Sequence, residues 1–112
     1  MQNKDKIRIK HALESIEEIE SYFKEKPDKN EFENNKMLRG AIVRQLEVIG
    51  EALGAVDVET QERFSEIMWR DWRSLRNILI HQYFGIDYET VFITVTDELP
   101  VLKEQLINIL EK

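Results

Sequence analysis

Apolar residues recur at steps of three and four through almost the whole chain, and that period limits what it can fold into. Ile9, Leu13, Ile16, Ile19 and Phe23 keep this spacing, with Glu14, Glu17, Glu18 and Glu20 on the opposite side. Such a pattern predicts an amphipathic helix from Ile7 to about Lys24. Glu25-Lys26-Pro27-Asp28-Lys29-Asn30 interrupts it with a proline and turn formers, so a loop is expected there. A second helix is predicted over about Asn35 to Leu53, with Leu38, Ala41, Ile42, Ile49, Ala52 and Leu53 as its apolar stripe and Gly54 as its stop. Gly50 lies inside that helix at a cost of about 1 kcal/mol relative to alanine, which suggests that something approaches its backbone closely. On the same helix Arg44, Glu47 and Glu51 share a face, where they can pair with one another or meet a partner.

Asp57 and Thr60 are candidate caps of a short third helix through Phe64. Ile67, Met68, Trp69 and Trp72 open a fourth, whose core stripe of Trp72, Leu75 and Leu79 runs toward Phe84 before Gly85 ends it. Asp87 is placed to cap a fifth. Its first part, Val91-Phe92-Ile93-Thr94-Val95-Thr96, is β-branched enough to be a strand by propensity alone. A lone strand would have no partner, and Val95, Leu99, Leu102, Leu106, Ile109 and Leu110 keep helical spacing, so helix is expected, kinked or restarted at Pro100. The fold class is therefore all-α: one domain over residues 1–112, a bundle of about five helices.

Composition narrows the function. Lys+Arg 16 against Asp+Glu 22 gives a net charge of −6, so a nucleic-acid substrate requires a local basic patch. Cysteine is absent, which removes disulfides and thiolate metal sites and fits a reducing, cytoplasmic setting. The first ten residues lack the apolar core of a signal peptide, and no apolar run reaches membrane-spanning length, so neither secretion nor a membrane partner is expected. His11 and His81 stand far apart in sequence, and no His/carboxylate cluster has ligand spacing. No metal and no cofactor are therefore expected.

Chemistry concentrates in one stretch, Arg73 to Gly85. It gathers arginine, amide, histidine and phenol: Arg76, Asn77, His81 and Tyr83. Histidine can exchange protons with a ribose hydroxyl or a leaving oxygen near neutral pH, and arginine can clamp phosphate and stabilise its transition state. Together they suffice for metal-free RNA cleavage with the 2′-hydroxyl as nucleophile. Asn77 and His81 share a helical face, as do Arg76 and Tyr83, whereas Arg76 and His81 lie about 140° apart around the axis. Both reach one phosphate if the helix loosens or if a second copy supplies the other half, which points to a two-fold homodimer. Between Arg63 and Tyr83, four arginines face two acids, a local +2, and Arg70 and Arg73 become candidate RNA contacts. Surface salt bridging of those two arginines explains them equally well. Arg-x4-His alone is a weak signal: a histidine near a helix end is more often a dipole partner or a packed side chain.

The segment from Arg76 to Asp87 resembles the Arg-Asn-x-x-x-His-x-Tyr signature of the HepT-like toxins of the HEPN ribonuclease superfamily. Arg44 to Ala52 resembles that family's second-helix motif, Ile67 to Trp72 its tryptophan-bearing entry, and Asp97 to Leu102 its proline-bearing last helix. Met68 stands where the family often has proline, and Asn34-Asn35 where acids are common. The resemblance implies the toxin of a type VII-like toxin–antitoxin pair, a metal-independent endoribonuclease acting as a homodimer on RNA. Arg76 and His81 carry over as the catalytic pair and Asn77 as the residue that orients them. Tyr83 carries over as the tyrosine that a minimal nucleotidyltransferase antitoxin modifies with AMP. A second function uses the same residues without catalysis, as a nucleotide- or substrate-binding partner of a nucleotidyltransferase. A third is a purely structural dimerisation domain, with Arg76 and His81 in salt bridges to Glu47 or Glu51.

Overall fold

A computed structural model describes the backbone of residues 1–81 and 85–112, and the side chains of all but residues 76–84. Its elements are α1 (Asn3–Ser21), α2 (Lys29–Asn34), α3 (Lys36–Gly54), α4 (Val58–Arg63), α5 (Trp69–His81), α6 (Tyr88–Ile93) and α7 (Leu99–Leu110), with a π-helical turn, Thr94–Glu98, joining the last two. Among the described residues no strand occurs. The five expected helices are present, the fifth as the unbroken run of α6, π turn and α7.

α3 is the centre of the bundle, packed against both α1 and α5, while α7 lies along α1. That position explains its sequence. Ile42, Leu46, Ile49 and Leu53 are wholly buried, and Val43 and Gly50 are buried beside them, a wider apolar surface than a one-sided helix needs. Ile9, Ala12, Ile16 and Ile19 of α1 and Leu102, Leu106 and Ile109 of α7 complete the core. Each such aliphatic side chain contributes about 1.5–3 kcal/mol by leaving water.

Several local expectations change. A short helix, α2, occupies Lys29–Asn34, beginning at the end of the stretch read as loop and continuing through residues for which no element was expected. Asp28 caps it by accepting from the Glu31 amide at 3.2 Å, and its one buried residue, Phe32, packs 5.2 Å from the Phe92 ring. Arg39 of α3 donates to the Phe32 and Glu33 carbonyls and lies over the Tyr88 ring, tying α2 to α3 and α6. Six residues with one buried anchor leave no periodicity to read. Gly54 does not stop α3 with a left-handed turn. It is the last helical residue, and Ala55 follows in the right-handed region. Among the described residues, the glycine with positive φ is Gly85, at 99°.

Val91–Thr96 is helical despite its β-branched content. Pro100 lacks an amide hydrogen and crowds the carbonyl four residues back. The helix widens ahead of it: the Leu99 amide donates to the Thr94 carbonyl five residues earlier, and Pro100 enters the first turn of α7. Thr94 and Thr96 donate their hydroxyls to the Thr90 and Phe92 carbonyls at 2.9 and 3.1 Å.

The caps of α4 also differ from expectation. Asp57 stands at the N-cap, but its carboxylate lies 3.5 Å from Lys4 Nζ and accepts no bond from the helix. Thr60 is inside α4 and buried. Its hydroxyl donates at 2.7 Å to the buried Asp5 carboxylate, which also accepts from the Asp57 amide at 3.2 Å and lies 3.6 Å from Arg8. Arg8 in turn donates to the Ala55 carbonyl at 2.6 Å. The first turn of α1 thereby holds the α3–α4 corner. Thr60→Val keeps the shape but leaves a buried carboxylate oxygen without its donor, so urea unfolding should show a loss of about 1–3 kcal/mol.

Candidate active site

α5 begins at a buried hydrogen bond. The Trp69 indole N–H donates to the Phe64 carbonyl at 3.0 Å, and Ile67, Trp69 and Trp72 are buried, which fixes the rotation of α5 about its own axis. Helical backbone then runs from Trp69 to His81. At about 100° per residue, Arg70, Arg73, Asn77 and His81 fall within an arc of about 80°. Arg76 falls about 140° from His81.

Arg70 and Arg73 are exposed, and neither joins an ion pair among the described residues. Salt bridging therefore does not account for them there. Arg63 differs, lying over the Phe64 ring at 5.1 Å. Arg44 pairs with Glu47 at 3.4 Å across one helical turn, so that ridge is a solvated salt bridge, with Glu51 exposed beyond it. The side chains of Arg76, Asn77 and His81, and Tyr83 altogether, lie outside the described residues. So does any pairing of Arg76 or His81 with Glu47 or Glu51. Among the described residues no group of three His, Cys, Asp or Glu is arranged to hold a metal ion. No helix described is long and apolar enough to cross a membrane.

The surroundings of α5 differ in charge from one side to another. Away from the arginine strip, a groove of about 520 Å³ opens between α5 and the α6–α7 run, floored by Trp72, Leu75 and Leu102 and edged by Asp71, Asp97 and Glu98. Three carboxylates make that groove hostile to a polyanion. The cationic strip is thus the surface of α5 that suits phosphate.

Sequence reasoning placed Gly54 at the end of α3, where it stands, but missed what packs on it. A β-carbon at this position would stand 3.0 Å from Arg73 Cγ and 3.2 Å from Cδ, so the glycine makes room for the arginine stem. The available signal was the pair Gly50 and Gly54, one turn apart on one helix.

Beyond the motif, Asp87 caps α6 as expected. Its carboxylate accepts from the Glu89 and Thr90 amides at 3.1 and 3.3 Å and from the Thr90 hydroxyl at 2.8 Å. The Thr90 hydroxyl, followed by the Thr90 amide, holds its pKa below the ordinary 3.8. A carboxylate lowered by folding stabilises above its unfolded pKa and loses that contribution as pH falls through the folded value. The stability difference between wild type and Asp87→Ala should therefore be constant at neutral pH and shrink below about pH 3.8, followed by urea unfolding across an acid series.

The family model described as "Ribonuclease HepT-like" matches residues 12–109. The chain is 39% identical over 107 residues to the "Gamma-glutamylcyclotransferase and putative RNase" of Methanocaldococcus jannaschii, covering 96% of this chain but only 48% of that protein. It thus spans about half of that longer relative. It is 43% identical over 94 residues to a "Putative RNase" of the same organism, covering 84% of this chain and 85% of the other. It is 34% identical over 103 residues to the "Probable ribonuclease HepT" of Thermococcus cleftensis, covering 92% and 93%. No solved structure matches.

Proposed function

Because this chain belongs to the ribonuclease HepT-like family, we propose that it is a metal-independent endoribonuclease, the toxin of a type VII-like toxin–antitoxin pair, acting as a homodimer in the cytoplasm. The observation that carries this reading is the complete Arg76-Asn77-x3-His81-x-Tyr83 set within the matched residues, entered from a helix whose first turns bear the exposed Arg70 and Arg73.

In the proposed reaction a ribose 2′-oxygen attacks the adjacent phosphorus and gives up its proton to a base. The bond to the 5′-oxygen breaks, that oxygen takes a proton, and the products carry a 2′,3′-cyclic phosphate and a 5′-hydroxyl. His81 exchanges the proton, since imidazole titrates near the working pH. Arg76 stabilises the charge gathering on the phosphoryl oxygens through a forked pair of N–H donors. Asn77, one turn from His81, orients the site.

Tyr83 is the proposed point of control by a minimal nucleotidyltransferase antitoxin. Its phenolic oxygen attacks the α-phosphorus of ATP, pyrophosphate leaves, and the phenolic proton is released. The product places a phosphodiester anion and an adenosine where RNA must lie, so like charge and bulk both exclude substrate.

The test is cleavage of a mixed RNA pool by purified protein in excess chelator, with product ends analysed. Wild type should leave cyclic phosphate ends, and His81→Ala and Arg76→Ala should each lose about 10²–10⁴-fold in rate. Silence from folded wild type whose mass shows Tyr83 unmodified would transfer the assignment to a non-catalytic binding partner of a nucleotidyltransferase.

A further inference from the structure

Arg73 is an exposed, flexible residue in a place where its stem is nevertheless confined. Its Cβ, Cγ and Cδ lie across the last residue of α3, at 3.4, 3.0 and 3.2 Å from where a side chain on Gly54 would begin. Gly54 has no conformational need to be glycine, since its φ is not positive. Nor is Arg73 required to cap α3: the carbonyl just beyond that helix, of Ala55, is taken by Arg8 at 2.6 Å. Among the described residues Arg73 has no carboxylate partner, and a cation held by its stem with its head in water is suited to an external anion. The register of α5 sets Arg73 on the face shared by Asn77 and His81, about 12 Å from His81 along the axis.

We propose that Gly54 is a positioning residue for RNA binding: lacking a side chain, it lets the Arg73 stem lie against the end of α3 and aims the guanidinium at a phosphate flanking the one to be cut. This rests on the ribonuclease reading and adds to it a determinant on a different helix. A β-carbon at 54 makes the stem give by a few tenths of an ångström, so the charge remains but its direction changes.

The experiment measures binding rather than cleavage. A fluorescent, mixed-sequence single-stranded RNA fully methylated at its 2′-oxygens cannot be cut, and its anisotropy is followed with wild type, Gly54→Ala, Arg73→Ala and the double variant over a salt series. Gly54→Ala and Arg73→Ala should each weaken binding roughly three- to five-fold, the range of an exposed ion pair. Arg73→Ala should lower the log–log salt slope by about 0.7, one phosphate contact on a single strand, and Gly54→Ala should lower it likewise. The double variant should bind like Arg73→Ala alone, because the glycine acts only through the arginine. Gly54→Ala should melt no lower than wild type, since alanine favours the helix.

Wild-type slope and affinity in Gly54→Ala would overturn the proposal, as would additive losses in the double variant. So would an unfolded Gly54→Ala, which would make the contact simple packing, and so would wild type that does not bind this RNA. The cleavage assay separates the two readings: cutting with uncoupled binding removes only the role of Gly54, and coupled binding without cutting removes only the nuclease.

Discussion

The contact between α3 and α5 is the constraint on which the rest of the molecule depends. α3 has to carry a broad apolar face because it packs against both α1 and α5, and its zero-exposure residues Ile42, Leu46, Ile49 and Leu53 meet that need. α5 is then oriented by what it buries at its start. Trp69 and Trp72 cannot turn outward without losing large apolar contact and, for Trp69, the bond to the Phe64 carbonyl. Once those two indoles are seated, 100° per residue decides where every later side chain on α5 is directed. Packing at one end of the helix thus determines which chemistry stands together at the other.

That orientation also shows how an acidic protein can present a surface to a polyanion. A net charge of −6 spread evenly would repel a polyanion at every approach. Here Asp71 edges the groove shared with Asp97 and Glu98, while Arg70 and Arg73 rise from another side of α5. Exposed charges act over roughly 8–10 Å at physiological salt, so a segregated pair of arginines governs its own neighbourhood more than the total does. The segregation follows from one helix of alternating sign held at a fixed rotation.

Periodicity carried the long helices, including the one over Val91–Thr96 that propensity argued against. Those residues are helical because Val91 and Val95 bury on one side of a run continuing through Leu99 and Leu102, and tertiary burial outweighs the β preference of single residues. What was illegible has a common cause: it depends on partners far away in the chain. Asp5 reads as a surface acid at a helix start, yet it is buried because Thr60 and the Asp57 amide, more than fifty positions on, supply its hydrogen bonds. Gly54 reads as a helix stop for the same reason, since Arg73 is invisible to local pattern. α2 has too few residues to show a period. Within the motif, residue types and spacing were legible. The exposure of Arg70 and Arg73 required the fold.

The spacing within the motif bears on assembly. Four residues separate Arg76 from His81, and a straight helix turns them about 140° apart, whereas Asn77 lies about 40° and Arg73 about 80° from His81. Helical backbone is continuous to His81, so loosening before that residue does not bring Arg76 round. A phosphate lying on the Asn77/His81 face of one α5 is therefore poorly served by the Arg76 of the same helix. Under a two-fold axis the facing helix presents its Arg76 from the opposite direction, and each phosphate can meet a histidine from one copy and an arginine from the other. Such a pairing would divide the proposed chemistry between two chains and make activity depend on protein concentration wherever the dimer dissociates. It would also set the Arg73 of each copy beyond the shared centre, on flanking phosphates, where charge adds affinity without entering the reaction.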